Sequence, residues 1–188
     1  MKKQAAVFLD RDGTLNEEVG YLDSLDKLHV FPSAYKAVRL INRNGMKAVV
    51  ITNQSGVARG LFDETFVVTV HARMQEMFQR RKARIDRFYY CPHHPEEGTG
   101  RYRVSCPCRK PEPGLLLRAS EEMGLNLVAS YMVGDMPKDI EAARKVGAKG
   151  VLVKTGYGAE HLLSPLRPDY VAADVLDAVT WIMRDRTR

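Results

Sequence analysis

The chain has 188 residues, 45% hydrophobic and 28% charged, with a formal net charge of +6. That length fits one domain able to bury about 70% of its unfolded surface, and the composition is that of a globular protein, not a disordered or disulfide-dense one. No apolar run approaches the ~20 residues that span a bilayer; the opening MKKQAAVFLDRDG meets Asp10 and Arg11 too soon for a secretory signal, so the chain is expected to be cytoplasmic.

Apolar runs alternate with helical patterns from end to end. AAVFLD (residues 5–10) reads as a buried strand, SAYKAVRLINRNG (33–45) as a helix closed by Gly45, and MKAVVITN (46–53) as a second strand. A long helix is expected from Asp63, a natural cap, to about Lys82. Its cations in HARMQEMFQRRKARIDR (71–87) alternate with Met74, Met77 and Phe78, which marks a solvated helix face more than a nucleic-acid surface. RFYYC (87–91) is a third strand, and PGLLLRASEEMG (113–124) a helix with proline at its start and glycine at its end. SYMVGD (130–135), the helix PKDIEAARKVG (137–147) and the strand GVLVKTG (150–156) follow; DYVAADVLDAVTWIMR (169–184) supplies a short strand and a closing helix. Strands that are apolar throughout, separated by helices, imply an α/β fold: one Rossmann-like domain over 1–188, an open parallel sheet with helices on both faces.

Ligands in such sheets bind outside the carboxyl ends of the strands. Those places hold DRDGT (10–14), TNQSG (52–56), CRKP (108–111) and GDMPKD (134–139). A single Asp before Gly is more often a turn residue than a catalyst, but reactive residues at four strand ends together are not explained by turns. Residues i and i+2 of an extended segment share a side, so Asp10 and Asp12 can face one site, joined by Asp135 from a neighbouring strand. Three carboxylates repel one another and need a cation; a hard oxygen set that leaves room for water and phosphate favours Mg²⁺.

FLDRDGTLN (8–16), ITNQSG (51–56), CRKPEPG (108–114) and VGDMPKDI (133–140) resemble, in order, the four motifs of the haloacid-dehalogenase-like phosphatases. The resemblance covers nearly the whole chain. It implies Asp10 as the nucleophile that forms an aspartyl phosphate, and Asp12 as general acid and base. It further implies Mg²⁺ on Asp10, Asp135 and the backbone carbonyl of Asp12, with Thr52 bonding a phosphate oxygen. Lys110 would offset negative charge at the centre, and Asp139 would orient Lys110 or the metal shell.

All three cysteines lie in CPHHPEEGTGRYRVSCPCRKP (91–111). Cys91-x-His93 and Cys106-x-Cys108 offer four thiolate or imidazole donors, a set that favours a closed, structural Zn²⁺ site in a loop over 91–108. Spacing alone leaves His93 and His94 equivalent; the family pattern C-x-H…C-x-C points to His93. Arg109 and Lys110 follow the last ligand directly, so the metal would hold the loop that aims them.

Neither interval between the first three strands can hold a large cap domain, so a small, soluble phosphorylated sugar is the expected partner, with no membrane or nucleic acid involved and a monomer as the expected state. Two branches of the family share the zinc loop, and the segments FLDRDGTLNEEVGY, TNQSGVARG, YYCPHHP and CRKPEPG are more similar to the heptose 1,7-bisphosphate phosphatases than to the alternative, the histidinol-phosphate phosphatases. A DNA 3′-phosphatase and a non-catalytic zinc module are the remaining alternatives. By that resemblance Glu18, Val19, Gly20 and Tyr21, then Thr52, Asn53, Gln54 and Ser55, and finally Arg109 and Lys110 line the substrate site. Arg59 would assist a phosphate or form a surface ion pair. Met136 stands where the heptose enzymes can carry lysine, and Lys138 is the nearest replacement.

Overall fold

Alternate residues of one short strand face two different cores. In the computed structural model, which describes residues 3–187, strand β1 (Ala6–Leu9) turns Val7 and Leu9 to one side and Ala6 and Phe8 to the other, all wholly buried, as the two-residue period of a strand requires. Side chains such as Phe8, Leu9 and Ile51 lie in these cores without solvent contact, each contributing roughly 1.5–3 kcal/mol of burial.

Strands β2 (Lys47–Asn53), β3 (Arg87–Cys91), β4 (Tyr131–Gly134), β5 (Lys149–Val153) and β6 (Tyr170–Ala172) join β1 in the order β3-β2-β1-β4-β5-β6, every pair parallel. Helices α1 (Pro32–Arg43), α2 (Glu64–Arg80) and α5 (Val175–Asp185) cover the face that takes Val7 and Leu9; α3 (Gly114–Met123) and α4 (Pro137–Lys145) cover the other. The expected α/β architecture and its helices are present. α1 starts at Pro32, one residue before the expected Ser33, because proline at the first helical position has its φ already set. Asp63 caps α2 by accepting from the Phe66 amide at 2.8 Å, and Gly124 closes α3 in the left-handed conformation, φ 64°.

Three single-turn 3₁₀ helices, Leu25–Lys27, Gly100–Tyr102 and Gly158–His161, escaped the sequence reading because one turn has no period to detect. The basic run behaves as a solvated face: α2 buries Val67, Val70, Met74 and Phe78 and leaves Arg73 and Arg80 exposed. His71, though, is on the buried side. No helix among the described residues is long and apolar enough to cross a membrane.

The sheet order reverses between β1 and β4, where the connections leave in opposite directions and a crevice opens. The β1–β4 ladder runs on to the Asp10 amide, which donates to Val133 O at 2.9 Å, so Asp10 and Asp135 emerge side by side.

Candidate active site

Asp10 is buried, 7% exposed, at the end of β1. Its Oδ1 accepts from the Arg11 amide at 2.8 Å and lies 2.9 Å from Lys110 Nζ. Lys110 is held from three sides: Nζ lies 2.6 Å from Asp139 Oδ1 and donates to Ile51 O at 2.8 Å, while its backbone exchanges two bonds with the Asn53 amide, at 3.0 and 2.9 Å. Burial alone would pull the Lys110 ammonium down; Asp10 and Asp139 outweigh it and push it up to about 12. Burial raises Asp10, and Lys110 opposes the rise. Of the two places expected for Asp139, beside Lys110 or in the metal shell, it is in direct contact with Lys110.

Asp12 faces the same space as Asp10 but in a different environment. Burial would raise it, but donors surround its carboxylate and bring it below its ordinary value. Arg11 Nε lies 3.1 Å from both oxygens and Arg11 Nη2 2.8 Å from Oδ2; Asn16 Nδ2 donates to Oδ1 at 2.9 Å and Gln54 Nε2 to Oδ2 at 3.0 Å. Arg11 itself is 1% exposed.

These groups open into a cleft of about 190 Å³. Glu18, Gly20 and Tyr21 form one wall; Thr52, Asn53, Gln54 and Ser55 form another; Arg109 and Asp135 close the circuit. All of these were expected there apart from Asp135, assigned to the metal. Two expected substrate residues are not on the wall: Val19 points to solvent at 37% exposure, and Lys110 lies beneath the floor. Met136 and Lys138 do line the cleft, so a cation is available beside the methionine. Arg59 forms the surface pair, 3.4 Å from Glu97, and stacks over the Tyr21 ring at 5.8 Å. Burial raises Glu18, and Asp12 adds to the rise.

The carboxylates fit a hard cation. Asp10, Asp135 and Asp139 each bring an oxygen within 4.8 Å of the others, all buried. Burial and the nearby Asp10 push Asp135 up to about 8, the signature of a carboxylate that lacks a counter-charge. Asp135 is also tightly cradled. The Tyr157 amide donates to its Oδ2 at 2.9 Å, and a Cβ on Gly13 or Gly156 would reach that oxygen at 2.3 or 2.2 Å. Asp139 spends one oxygen on Lys110 and the other on the Met136 amide, whereas the contacts of Asp10 fall on Oδ1 and that of Asp135 on Oδ2, so Asp10 and Asp135 are the carboxylates better placed to hold Mg²⁺.

The cysteine loop fits a soft cation. Sγ···Sγ separations among Cys91, Cys106 and Cys108 are 3.5, 3.1 and 3.1 Å, and His93 Nδ1 lies 3.7 and 3.4 Å from Cys91 and Cys108. A tetrahedral Zn–S₄ edge is ~3.8 Å at ~2.3 Å bonds, so the donors converge slightly inside a zinc shell. His94 turns away, its Nδ1 accepting from the Glu97 amide at 2.9 Å, and of the two histidines it is His93 whose ring nitrogen lies among the three sulfurs. The loop is anchored at one end to the cleft residue Arg109 and at the other to Glu64 of α2. Arg109 Nη1 donates to His93 O at 3.0 Å, and Tyr102 and Tyr90 both donate to Glu64 on α2, at 2.6 and 2.8 Å.

Sequence reasoning missed Arg11, Asn16 and the Gly156–Tyr157 turn. Arg11 carried a signal, a cation between two aspartates at a strand end; the turn carried none, because it reaches Asp135 through a backbone amide.

The HAD-hydrolase-like family model matches residues 107–178. A D-glycero-beta-D-manno-heptose-1,7-bisphosphate 7-phosphatase of Photorhabdus laumondii is 43% identical over 153 residues, 80% of this chain and 81% of the relative. The D-glycero-D-manno-heptose-1,7-bisphosphate 7-phosphatase of Thermosynechococcus vestitus is 41% identical over 185 residues, 94% of each chain. Among solved structures, D,D-heptose 1,7-bisphosphate phosphatase from B. bronchiseptica, complexed with magnesium and phosphate, superposes with a TM-score of 0.86 at 29% identity, covering 97% of this chain and 99% of that one. With its four motifs gathered at one sheet edge and these relatives along most of its length, the chain belongs to the heptose-1,7-bisphosphate 7-phosphatase family of HAD-like hydrolases.

Proposed function

We propose that this chain is a magnesium-dependent phosphomonoesterase that removes the 7-phosphate of D-glycero-D-manno-heptose 1,7-bisphosphate on the way to nucleotide-activated heptose. The observation that carries the reading is the position of Asp10, buried at the β1 end with one oxygen against Lys110 and its carboxylate beside Asp135. A carboxylate so placed needs no base to attack phosphorus.

In the first step an Asp10 oxygen bonds to phosphorus as the ester P–O bond breaks, and Asp12 gives a proton to the departing sugar oxygen. In the second step Asp12 takes a proton from water; the water oxygen bonds to phosphorus, and the Asp10–phosphorus bond breaks to return the free carboxylate. Lys110 balances charge on Asp10 throughout. Magnesium on Asp10, Asp135 and the Asp12 carbonyl would neutralise the phosphoryl oxygens and align them for in-line attack. The donors around Asp12 favour its base form, the form the second step uses.

Arg109 lines the cleft, and a guanidinium fork suits the second phosphate of a bisphosphate. Its bond to His93 O links that grip to the cysteine cluster, where zinc on Cys91, His93, Cys106 and Cys108 would have a structural role. The whole acts as one domain with its zinc loop at 91–108, a cytoplasmic monomer on a soluble sugar phosphate. The test is kcat/KM for both heptose bisphosphate anomers and for histidinol phosphate, measured side by side. The reading expects a heptose bisphosphate to be preferred; preference for histidinol phosphate would overturn the substrate.

A further inference from the structure

Gln54 lines the cleft, yet its amide is fully engaged within the protein. Oε1 accepts from Arg11 Nη2 at 2.9 Å, while Nε2 donates to Asp12 Oδ2 at 3.0 Å and to Thr52 Oγ1 at 2.8 Å. Gln54 is 4% exposed, Arg11 and Thr52 1% each. An amide NH₂ has two hydrogens, and both are used.

The direction of these bonds is fixed by chemistry. A guanidinium only donates, so Gln54 must turn its carbonyl to Arg11. Reversing the amide would set NH₂ against the Arg11 donors, whatever the state of Asp12. The NH₂ therefore faces Thr52, and because an amide nitrogen cannot accept, the Thr52 hydroxyl must. A hydroxyl that accepts on one side still has its single hydrogen to give, and Thr52 stands on the cleft wall.

We infer that Arg11 and Gln54 are positioning residues that set the polarity of the Thr52 hydroxyl, so that its hydrogen points to an anionic oxygen in the cleft. Taking the phosphoryl group to sit there rests on the proposed function. The same guanidinium holds Asp12 and, through one amide, Thr52. One buried cation thus organises the acid–base residue and the phosphate donor together. Gln54 then acts on the substrate only through its neighbours. A glutamate would do the reverse of glutamine at this position. Its oxygen in place of Nε2 accepts from Thr52 and draws the hydroxyl hydrogen away from the cleft.

A double-mutant cycle tests this, with Thr52→Val, Gln54→Glu and the pair. It is read as kcat/KM on an aryl phosphate and as the dissociation constant of inorganic phosphate with magnesium. Thr52→Val should cost about 10- to 100-fold in the wild-type background, the worth of a hydrogen bond to a charged group, and less than about twofold in Gln54→Glu, where the donor is already lost. Gln54→Met, which neither accepts nor donates, should fall between and serves if the glutamate variant does not fold. Equal Thr52→Val costs in all backgrounds would overturn the inference and leave the phosphatase reading intact. A wild-type protein that neither binds phosphate nor releases it from the aryl ester would instead overturn the phosphatase reading and the inference with it.

Discussion

Lys110 Nζ stands 2.6 Å from Asp139 Oδ1, and neither side chain has any solvent exposure. The second carboxylate on the same ammonium is Asp10, at 2.9 Å. A single lysine therefore pairs with the proposed nucleophile and is itself held by a second buried carboxylate.

Lys110→Met should remove nearly all activity and destabilise the fold, because it leaves two buried carboxylates facing each other. Removing one partner of a buried pair costs about 3–5 kcal/mol. Urea midpoints with and without magnesium check this. Magnesium should restore part of the lost stability, and a Lys110→Met protein as stable as wild type would mean that the pair contributes little.

Gly156→Ala should weaken magnesium without removing a ligand. The new Cβ would meet Asp135 Oδ2 at 2.2 Å, at a glycine with φ +57°, so Asp135 must move. Disturbing the support of a ligand typically costs about 10- to 100-fold in metal affinity. The measurement is the magnesium concentration for half-maximal activation, with kcat at saturating magnesium changing much less.

His93→Ala should lower bound zinc well below one equivalent and reduce the melting temperature. His94→Ala should retain the metal, since His94 Nδ1 is occupied by backbone amides. Metal analysis of the two purified variants separates them. Chelation of the wild-type protein should raise KM as the Arg109–His93 link loosens.

Stability should fall in mild acid because of His71. Burial, and then the Arg11 guanidinium, depress this imidazole to about 3; its Nε2 is buried without a partner, and its ring stacks on Phe88 at 4.7 Å. An unfolded histidine takes up its proton near ~6.5 while the folded one does not. The contribution is therefore complete above that value and is lost progressively as pH falls towards 3. Between pH 7 and pH 5 it should amount to about 2 kcal/mol. Urea midpoints at pH 7 and pH 5 should converge in His71→Leu relative to wild type.

Much of this was legible in the sequence because the chemistry sits at strand ends. Asp10, Thr52 and Asp135 each follow an apolar run, and parallel strands bring such ends together without further information, while Lys110 arrives on the cysteine loop after β3. The cysteine cluster was legible because its ligands are local. What stayed hidden depends on distant backbone: the Tyr157 amide on Asp135 and the Ile51 carbonyl on Lys110 have no residue-type signature. His71 looked like one more polar residue on a basic helix face, and the packing of Phe88 and Tyr90 against it shows why it is buried. Val19 was expected in the cleft by its place in a matching segment, but the turn at Gly20 sends it to solvent.

The most direct test of the account is to trap the enzyme during turnover. Acid quench, borohydride reduction and peptide mass spectrometry would locate an acyl phosphate on the chain. The account predicts magnesium-dependent modification at residue 10, absent in Asp10→Asn together with phosphate release. Phosphate release that continues in Asp10→Asn, or an adduct on any other residue, would contradict it.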